Sequence, residues 1–359
     1  MIKKSGILAI LFAVVLVISF MGFSQPAEAE TIQVGAVFSL GGLGDLSFND
    51  LAYEALENAS EDYDVEFDYI EPDSSADFDP SLRRFAERNY DLVLAVGFLQ
   101  EEEVRQISQE YPHVNFAHVD VAHEPAIDNV RGMLFADHQS SFLVGALSAL
   151  VTEEDNVGFL GGIDSPLINK FEGGFVQGVE YIAEEDKDIE IQRSYADSFD
   201  DAARGREIAL GFIDDGADVI YHASGGTGDG LFTAAEEEDI YAIGVDSNQN
   251  WISPGHIIAS KLKNVDVAVY NTIEDVVKGD FEGGRNMEFD LEVDGVGTTP
   301  LESVIDEVIE PELDEEDREA ILQMKEEVTA PHAERIEEIR EKIIEDEIEI
   351  EDWSEIGRQ

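Results

Sequence analysis

Four charged side chains stand where apolar runs of the sequence end. Asp45, Asp120 and Asp246 each follow a run that predicts a strand, and Lys263 follows another. An aspartate in this place often serves only as a helix cap or a turn former. Three carboxylates that converge on one cleft would instead accept hydrogen bonds from the hydroxyl or ring N–H groups of a ligand. The pattern therefore indicates a polar binding site with one lysine beside it.

The stretch from residue 34 to residue 56 surrounds the first of these aspartates. Residues 34–38 predict a buried parallel strand, and the glycines between residues 41 and 44 permit tight backbone turns. Ser47, three residues before Asp50, predicts a capped helix start. Such loops often bind phosphate, but no Gly-Lys-Ser/Thr and no G-x-G-x-x-G motif is present, and Asp45 would repel a phosphate. Two interpretations remain, a loop that binds a neutral, hydroxyl-rich ligand and a plain turn before a helix.

Aromatic side chains close to the glycine loops could stack on a planar ligand, although each fits a hydrophobic core equally well. The candidates are Phe48, Tyr53, Phe171 and Tyr221.

Sequence patterns typical of catalysis are weak, because the seven histidines show no His-x-x-x-His spacing and no Gly-x-Ser-x-Gly occurs. Hydrolysis by a pair of carboxylates stays an alternative, since the sequence gives no distance between the acidic side chains. We predict no metal and no cofactor.

The composition is strongly acidic, with 81 Asp and Glu against 22 Lys and Arg and a formal net charge of −59. Charge of this size excludes unassisted nucleic-acid binding and destabilises a compact chain unless salt screens it. An apolar content of 43% still supports a folded core. These values predict a protein from a high-salt environment.

The N-terminus predicts export. Lys3 and Lys4 precede an apolar segment from about residue 7 to residue 23, and Ala27-Glu28-Ala29 fits a cleavage site. Residues 1–29 therefore read as a signal peptide cleaved after Ala29, with an uncleaved membrane anchor as the alternative. The chain has no cysteine, which excludes disulfides and a lipidated cysteine at the cleavage site.

Strand and helix patterns alternate along the mature chain, which predicts an α/β fold with two doubly wound parallel-sheet lobes and a ligand cleft between them. We expect lobe 1 to comprise residues 30–136 and 257–290, and lobe 2 to comprise residues 137–256. Residues 291–359 form an acidic, largely helical segment. Isoleucines at 336, 339, 343 and 344 favour packing of this segment on a lobe over a solvated tail.

Ordered motifs along the chain resemble those of the basic membrane protein (PnrA-like) family of substrate-binding proteins. Residues 44–49 (GDLSFN) are similar to the family's D-x-S-F-N signature, and the match continues at residues 119–120, 157–162, 171–175, 225–228, 244–249, 259–266 and 342–348. The chain differs from the family in two features. Family members are commonly lipoproteins, whereas this chain has no cysteine, and Asn248 stands where the family has an aspartate.

The resemblance implies a type I periplasmic-binding-protein fold with three crossovers, and a purine nucleoside as ligand. Asp45 and Asn49 would bind it from lobe 1, Asp120 would contact the base edge, and Asp246 would bind the ribose hydroxyls with Lys263 nearby. Backbone at Gly226 and Thr227 would line the pocket, with Phe48 or Tyr53, Phe171 and Tyr221 as the aromatic side chains.

The same resemblance implies a monomer that delivers its ligand to the permease of an ABC importer and is not an enzyme. Two other functions stay open on the residues alone. The fold could bind another small polar ligand such as a sugar, or the aspartates could hydrolyse a nucleoside.

Salt dependence tests the interpretation of the charge. We expect the melting temperature to fall when NaCl is lowered from about 2 M to about 0.1 M, because the screening length grows from below ~3 Å to ~10 Å. Differential scanning calorimetry measures this. Equal melting temperatures in both buffers would contradict a role for salt in stability.

Overall fold

The structure, a computed structural model, describes residues 31–183, 188–302 and 313–358. The signal peptide predicted for residues 1–29 lies outside these ranges. The strands are β1 (Ile32–Val37), β2 (Val65–Ile70), β3 (Leu92–Ala95), β4 (Asn115–Val119), β5 (Val130–Phe135), β6 (Asn156–Gly161), β7 (Glu190–Tyr195), β8 (Val219–Ala223), β9 (Tyr241–Asp246), β10 (Ile257–Lys263), β11 (Arg285–Phe289) and β12 (Val296–Thr298).

Most strands are followed by an α-helix, and the described residues from 313 onward are largely helical. The α-helices are α1 (Phe48–Asp62), α2 (Phe78–Glu87), α3 (Glu101–Glu110), α4 (Asp137–Val151), α5 (Pro166–Ala183), α6 (Ala202–Asp214), α7 (Asp229–Glu238), α8 (Val265–Lys278), α9 (Glu315–Met324), α10 (Ala333–Ile344) and α11 (Trp353–Ile356). In the described ranges, every helix is too short or too polar to cross a membrane.

Two six-stranded sheets form the two lobes. The first has the order β11-β5-β4-β3-β1-β2 and is parallel throughout, whereas the second has the order β12-β10-β9-β8-β6-β7 with only β12 antiparallel. In both sheets the strand order reverses around the first strand of the lobe, and ligands bind at such reversals at the carboxyl ends of strands. The prediction of two doubly wound parallel lobes is confirmed.

Burial follows the position of each strand in its sheet. Central strands such as β3 are buried along their whole length, because helices cover both faces of a parallel sheet. The edge strands β2 and β7 are largely half-buried or exposed, in agreement with their mixed polar and apolar sequences.

The boundary between the lobes differs from the prediction in one segment. Residues 257–290 were assigned to lobe 1, but β10 pairs with β9 in the second sheet, where Lys261 lies opposite Val245. Only α8 and β11 return to the first lobe, where Tyr270 on α8 donates a hydrogen bond to Asp62 on α1. The prediction for β10 failed because an apolar parallel strand fits the middle of either sheet.

Three chain segments cross between the lobes. They lie at Ala136 between β5 and α4, at Asn264 between β10 and α8, and at residues 290–295 between β11 and β12. Each crossover is short, and short connections between two lobes are the kind of segment that can serve as a hinge.

The C-terminal segment packs on the second lobe. Ile336, Ile339 and Ile343 on α10 are buried in the main hydrophobic core. Further on, Trp353 packs on Gly173 of α5. The Asp352 carboxylate lies 3.1 Å from Lys170 Nζ, which fixes the chain end to the same helix.

Glycines allow α4 and α5 to pack with their backbones in close approach. A Cβ atom added at Gly178 would lie 2.1 Å from the carbonyl oxygen of Phe142, and one at Gly174 would lie 2.2 Å from that of His138. Backbone cannot move away from such an atom without separating the two helices.

We therefore expect Gly178→Ala to lower the free energy of unfolding by about 1–3 kcal/mol, as overpacking does in other cores. Gly211→Ala on α6 is the matched control, because a Cβ there would meet nothing within 4 Å. The control should be neutral or slightly stabilising, since alanine favours a helix over glycine. Urea unfolding of both variants measures the difference, and equal effects would contradict the close packing of α4 on α5.

Candidate functional site

A cleft of about 590 Å³, counting the space open to solvent, lies between the lobes. Its walls are loops and helix starts that follow the carboxyl ends of strands in both sheets. The lining residues are Ser39, Leu40, Gly41, Asp45, Phe48, Asn49, Gly97, Phe98, Asp120, Leu167, Ile168, Phe171, Phe199, Ala223, Ser224, Gly225, Val245, Asp246 and Lys263. Seven of the eleven predicted site residues are among them.

Asp45 caps the helix that starts at this wall. One carboxylate oxygen accepts from Ser47 N at 3.0 Å and the other from Asn49 N at 2.9 Å. Ser47 was predicted to be the cap, but its hydroxyl instead donates to Val245 O in the second lobe at 3.0 Å. Asp50 also departs from the capping box, because its carboxylate accepts from backbone N–H groups of the preceding loop.

Asn49 holds this wall in place. Its amide nitrogen donates to Asp45 Oδ2 at 3.1 Å, and its amide oxygen accepts from Ser39 N at 3.0 Å. The side chain thus joins the helix start to the loop that follows β1. Burial raises the pKa of Asp45 to about 6, although the N–H groups at the helix start oppose this effect.

Asp120 and Asp246 occupy corresponding places in the two lobes. Asp120 directly follows β4 and Asp246 ends β9, and both have a left-handed backbone, with φ values of 71° and 64°. Aspartate adopts this conformation more readily than most non-glycine residues, and other aspartates of the chain, such as Asp155 and Asp239, share it. Asp246 Oδ1 is buried and has no hydrogen-bond donor among the described residues.

Two lysines of β10 neutralise part of this charge. Lys263 Nζ lies 2.6 Å from Asp120 Oδ1, and Lys261 Nζ lies 3.6 Å from Asp246 Oδ1. Both ammonium groups are almost completely buried. Asp137, at the start of α4, contacts both of them, at 2.5 Å from Lys261 and 3.3 Å from Lys263.

The pKa values of these three carboxyl groups are shifted in different directions. Burial raises the pKa of Asp120 to about 6 although Lys263 opposes it, and burial likewise raises the pKa of Asp246 against the effect of Lys261. Burial acts in the same direction on Asp137, but there the two lysines outweigh it and hold the pKa below its ordinary value. Asp137 therefore remains the firmly ionised partner of the lysines.

Aromatic rings line the cleft from both lobes. Phe48 and Phe171, both predicted, have the Lys263 ammonium group 5.3 Å and 5.4 Å from their ring centres. Phe98 and Phe199 were not predicted, and they meet edge to face with centroids 6.4 Å apart. Gly97-Phe98, two residues after the end of β3, could have indicated Phe98, whereas the half-buried strand β7 before Phe199 gave no such indication.

The four other predicted residues lie outside the cleft lining. Tyr53 packs against Phe67 and Tyr69, so Phe48 is the ring of that pair that reaches the cleft. Tyr221 is fully buried inside the second lobe, where its hydroxyl lies 3.2 Å from Ser141 Oγ.

Gly226 and Thr227 belong to the loop that the prediction placed at the pocket, but only its first residue, Gly225, lines it. The Thr227 hydroxyl donates to Ser198 O and accepts from Asp201 N. It thus ties the loop to the segment that carries Phe199.

Buried histidines support two of the cleft loops. His118 Nε2 donates to Gly97 O at 3.1 Å, and His222 Nδ1 lies 3.2 Å from Ser224 Oγ. Burial lowers the pKa of His118 to about 3 and that of His222 to about 4, so both are neutral at pH 7. Within the described ranges, no cluster of histidine and acidic side chains could hold a metal ion.

The model of one protein family matches residues 32–334 and is described as ABC transporter substrate-binding protein PnrA-like. The chain belongs to this family. It is therefore a solute-binding protein of an ABC transporter, which acts with a small ligand and transporter permeases.

Similar proteins agree with this membership. An uncharacterized lipoprotein of Pyrococcus furiosus is 34% identical over 316 residues, 84% of this chain and 79% of that protein. The ABC transporter nucleoside-binding protein BmpA of Lactococcus lactis is 28% identical over 286 residues, 74% and 80% of the two chains. The crystal structure of an ABC transporter solute-binding protein from Aeropyrum pernix has a TM-score of 0.81 and 33% identity, and covers 89% of this chain and 92% of its own.

This PnrA-like chain is closed around its cleft. Ser247 Oγ in the second lobe donates to Leu46 O in the first at 2.6 Å, and Gln249 Nε2 donates to the same carbonyl at 3.3 Å. With the bond from Ser47 to Val245, these contacts join the lobes at the cleft edge. Such a closed state is the one in which a solute-binding protein retains its ligand.

The raised pKa of Asp45 predicts how stability depends on pH. The native carboxyl group takes up its proton near pH 6, whereas the unfolded chain does so only near pH 3.8. This group therefore makes the protein more stable as the pH falls from 7 to 5, by about 1 kcal/mol. Asp45→Asn should remove that share of the rise, measured by urea unfolding at constant salt. Asp73→Asn, at an exposed site, controls for the loss of one charge. Equal dependence of stability on pH in both variants would contradict the assignment.

Proposed function

We propose that the protein is an exported solute-binding protein that captures a purine nucleoside between its lobes and delivers it to an ABC importer. The observation that carries this proposal is Asp246 Oδ1 at the cleft, which is buried and accepts no hydrogen bond from the described residues, with the Lys261 ammonium group 3.6 Å away. A buried acceptor without a donor costs about 1–3 kcal/mol. A ligand hydroxyl group removes that cost when it donates to this oxygen.

The second part of the site suits a planar base. Phe48 and Phe98 contribute rings from the first lobe, and Phe171 and Phe199 contribute rings from the second. Asp120, which faces the same cleft, accepts hydrogen bonds from ring N–H or amino groups. A purine joined to ribose combines this flat apolar face with N–H donors at one end and hydroxyl donors at the other.

Charge restricts the ligand further. Four carboxylates at or behind the cleft outnumber the two ammonium groups: Asp45, Asp120, Asp137 and Asp246 face Lys261 and Lys263. The lysines are already paired with these carboxylates, so a phosphate would meet repulsion without a free cation. The site therefore favours a nucleoside over a nucleotide.

We further propose that the protein acts by hinge closure without chemical change of its ligand, and that it works as a monomer. The lobe contacts at Ser47, Ser247 and Gln249 close over the ligand, and the bound ligand shifts the equilibrium toward this state by its higher affinity for it. The neutral buried histidines position loops and are not exposed to the ligand as acids or bases.

Calorimetric titration in molar salt tests the ligand class. Inosine, guanosine or adenosine should bind. Adenosine monophosphate and free ribose should bind at least about tenfold more weakly, because the phosphate would meet the carboxylates and ribose has no base to contact the aromatic rings. Recovery of unchanged nucleoside after incubation separates binding from hydrolysis. No binding by any of the nucleosides, or release of free base, would contradict the proposal.

Phe199 provides a test of base stacking. Phe199→Ala should weaken nucleoside binding by about 1–3 kcal/mol, the usual effect of removing a ring that stacks on a base. Phe281→Ala is the matched control, since this half-buried ring lies under Arg131 and away from the cleft. Equal affinities of the Phe199 variant and the control would exclude stacking on Phe199.

A further inference from the structure

Asp137 lies behind the cleft and is not part of its lining, yet it contacts both buried lysines. Its carboxylate is fully buried, with Oδ1 2.5 Å from Lys261 Nζ and Oδ2 3.3 Å from Lys263 Nζ. It is the first residue of α4, directly after the crossover at Ala136. The free N–H groups at a helix start favour a carboxylate in this position.

The two lysines connect Asp137 to the aspartates at the cleft. They are two residues apart on β10, so their side chains lie on the same face of the sheet. Lys263 contacts Asp120 at 2.6 Å, and Lys261 lies 3.6 Å from Asp246. Each cleft aspartate is thus joined to Asp137 through one ammonium group.

We propose that Asp137 is a positioning residue for ligand capture, which holds the Lys261 ammonium group at 2.5 Å so that Asp246, 3.6 Å from that group, stays available to donors of the ligand. This inference rests on the proposed function. Without the Asp137 charge, Lys261 would pair more tightly with Asp246, as Lys263 already does with Asp120. The ligand would then have to displace an ammonium group before it could bind.

Other groups around Asp137 do not substitute for it. The remaining ionisable side chains that act on it or feel its charge come from α4, α5, β8, β9 and the loop after β4: His138, Lys170, Tyr221, Asp246 and Asp120. Burial keeps His138 neutral, because it lowers the pKa of that histidine to about 4. Burial also raises the pKa of Tyr221 well above its ordinary value, so this phenol stays protonated.

The charge of Asp137 also affects the titration of the cleft. It raises the pKa of Asp120 and of Asp246, in addition to the larger effect of their burial. Nucleoside binding to the ionised carboxylates should be lost as the pH falls through their pKa values. Removal of the Asp137 charge should move this loss to lower pH.

Calorimetric titration of inosine between pH 5 and pH 8.5, at constant molar salt, tests the inference with Asp137→Asn. The variant should bind about tenfold more weakly at pH 7.5, the effect of one hydrogen bond to a charged acceptor. Its acidic loss of binding should have a midpoint about one pH unit lower than that of the unmodified protein. A uniform loss of affinity with an unchanged midpoint would reduce Asp137 to a structural role, and an unchanged affinity would overturn the proposal outright.

Two further measurements separate the possible failures. If the unmodified protein binds none of inosine, guanosine and adenosine at any pH, the nucleoside function itself is refuted. The pH dependence of unfolding of the ligand-free proteins then reports the same shift without a ligand. If Asp137→Asn does not fold, Lys261→Gln tests the same contacts, because loss of an ammonium group should move the midpoint to higher pH. A midpoint that stays in place in this variant overturns the proposal.

Discussion

The pairing of buried charges at the base of the cleft is the interaction on which the rest of the structure depends. Three carboxylates and two ammonium groups lie together with their side chains largely buried: Asp120, Asp137, Asp246, Lys261 and Lys263. An unpaired charge in such a space costs several kcal/mol, so every member needs its partners in place. The members come from both sheets and from α4, and the network therefore fixes how these elements meet.

The network also constrains the strand that supplies the cations. A shift of β10 by one residue would turn both lysines to the opposite face of the sheet and leave the carboxylates without cations. The same strand ends at the crossover at Asn264, and Asp137 follows the crossover at Ala136. The charges thus lie beside two hinge segments, where opening and closing of the lobes changes their surroundings most.

At the cleft edge, the two lobes are joined by neutral hydrogen bonds. The contacts at the cleft edge are hydrogen bonds between serine or glutamine side chains and backbone carbonyls, at Leu46 and Val245. Each such bond contributes on the order of 1 kcal/mol. A ligand that fills the cleft and satisfies Asp246 can therefore decide between open and closed states, as a transport protein requires.

Much of the site could be predicted from the sequence, because parallel strands place the residues after them at one edge of the sheet. This reasoning placed Asp45, Asp120, Asp246 and Lys263 at one cleft, and all four line the same cleft in the structure. It failed for Tyr221, because that residue lies within β8 and the alternation along the strand turns it into the core.

Other features depend on tertiary contacts that no local pattern encodes. Phe199 follows an edge strand with no glycine loop to mark it, and Asp137 reads as an ordinary residue at a helix start until both lysines are seen beside it. The prediction also placed β10 in lobe 1 rather than in the second sheet, since its buried sequence suits either sheet.

Identification of the ligand that the protein retains tests the central claim most directly. The unmodified protein, purified in molar salt from cells grown in rich medium, can be analysed by native mass spectrometry before and after denaturation. The account predicts an additional mass equal to that of a purine nucleoside, released intact when the protein unfolds. A retained sugar, nucleotide or free base would contradict it.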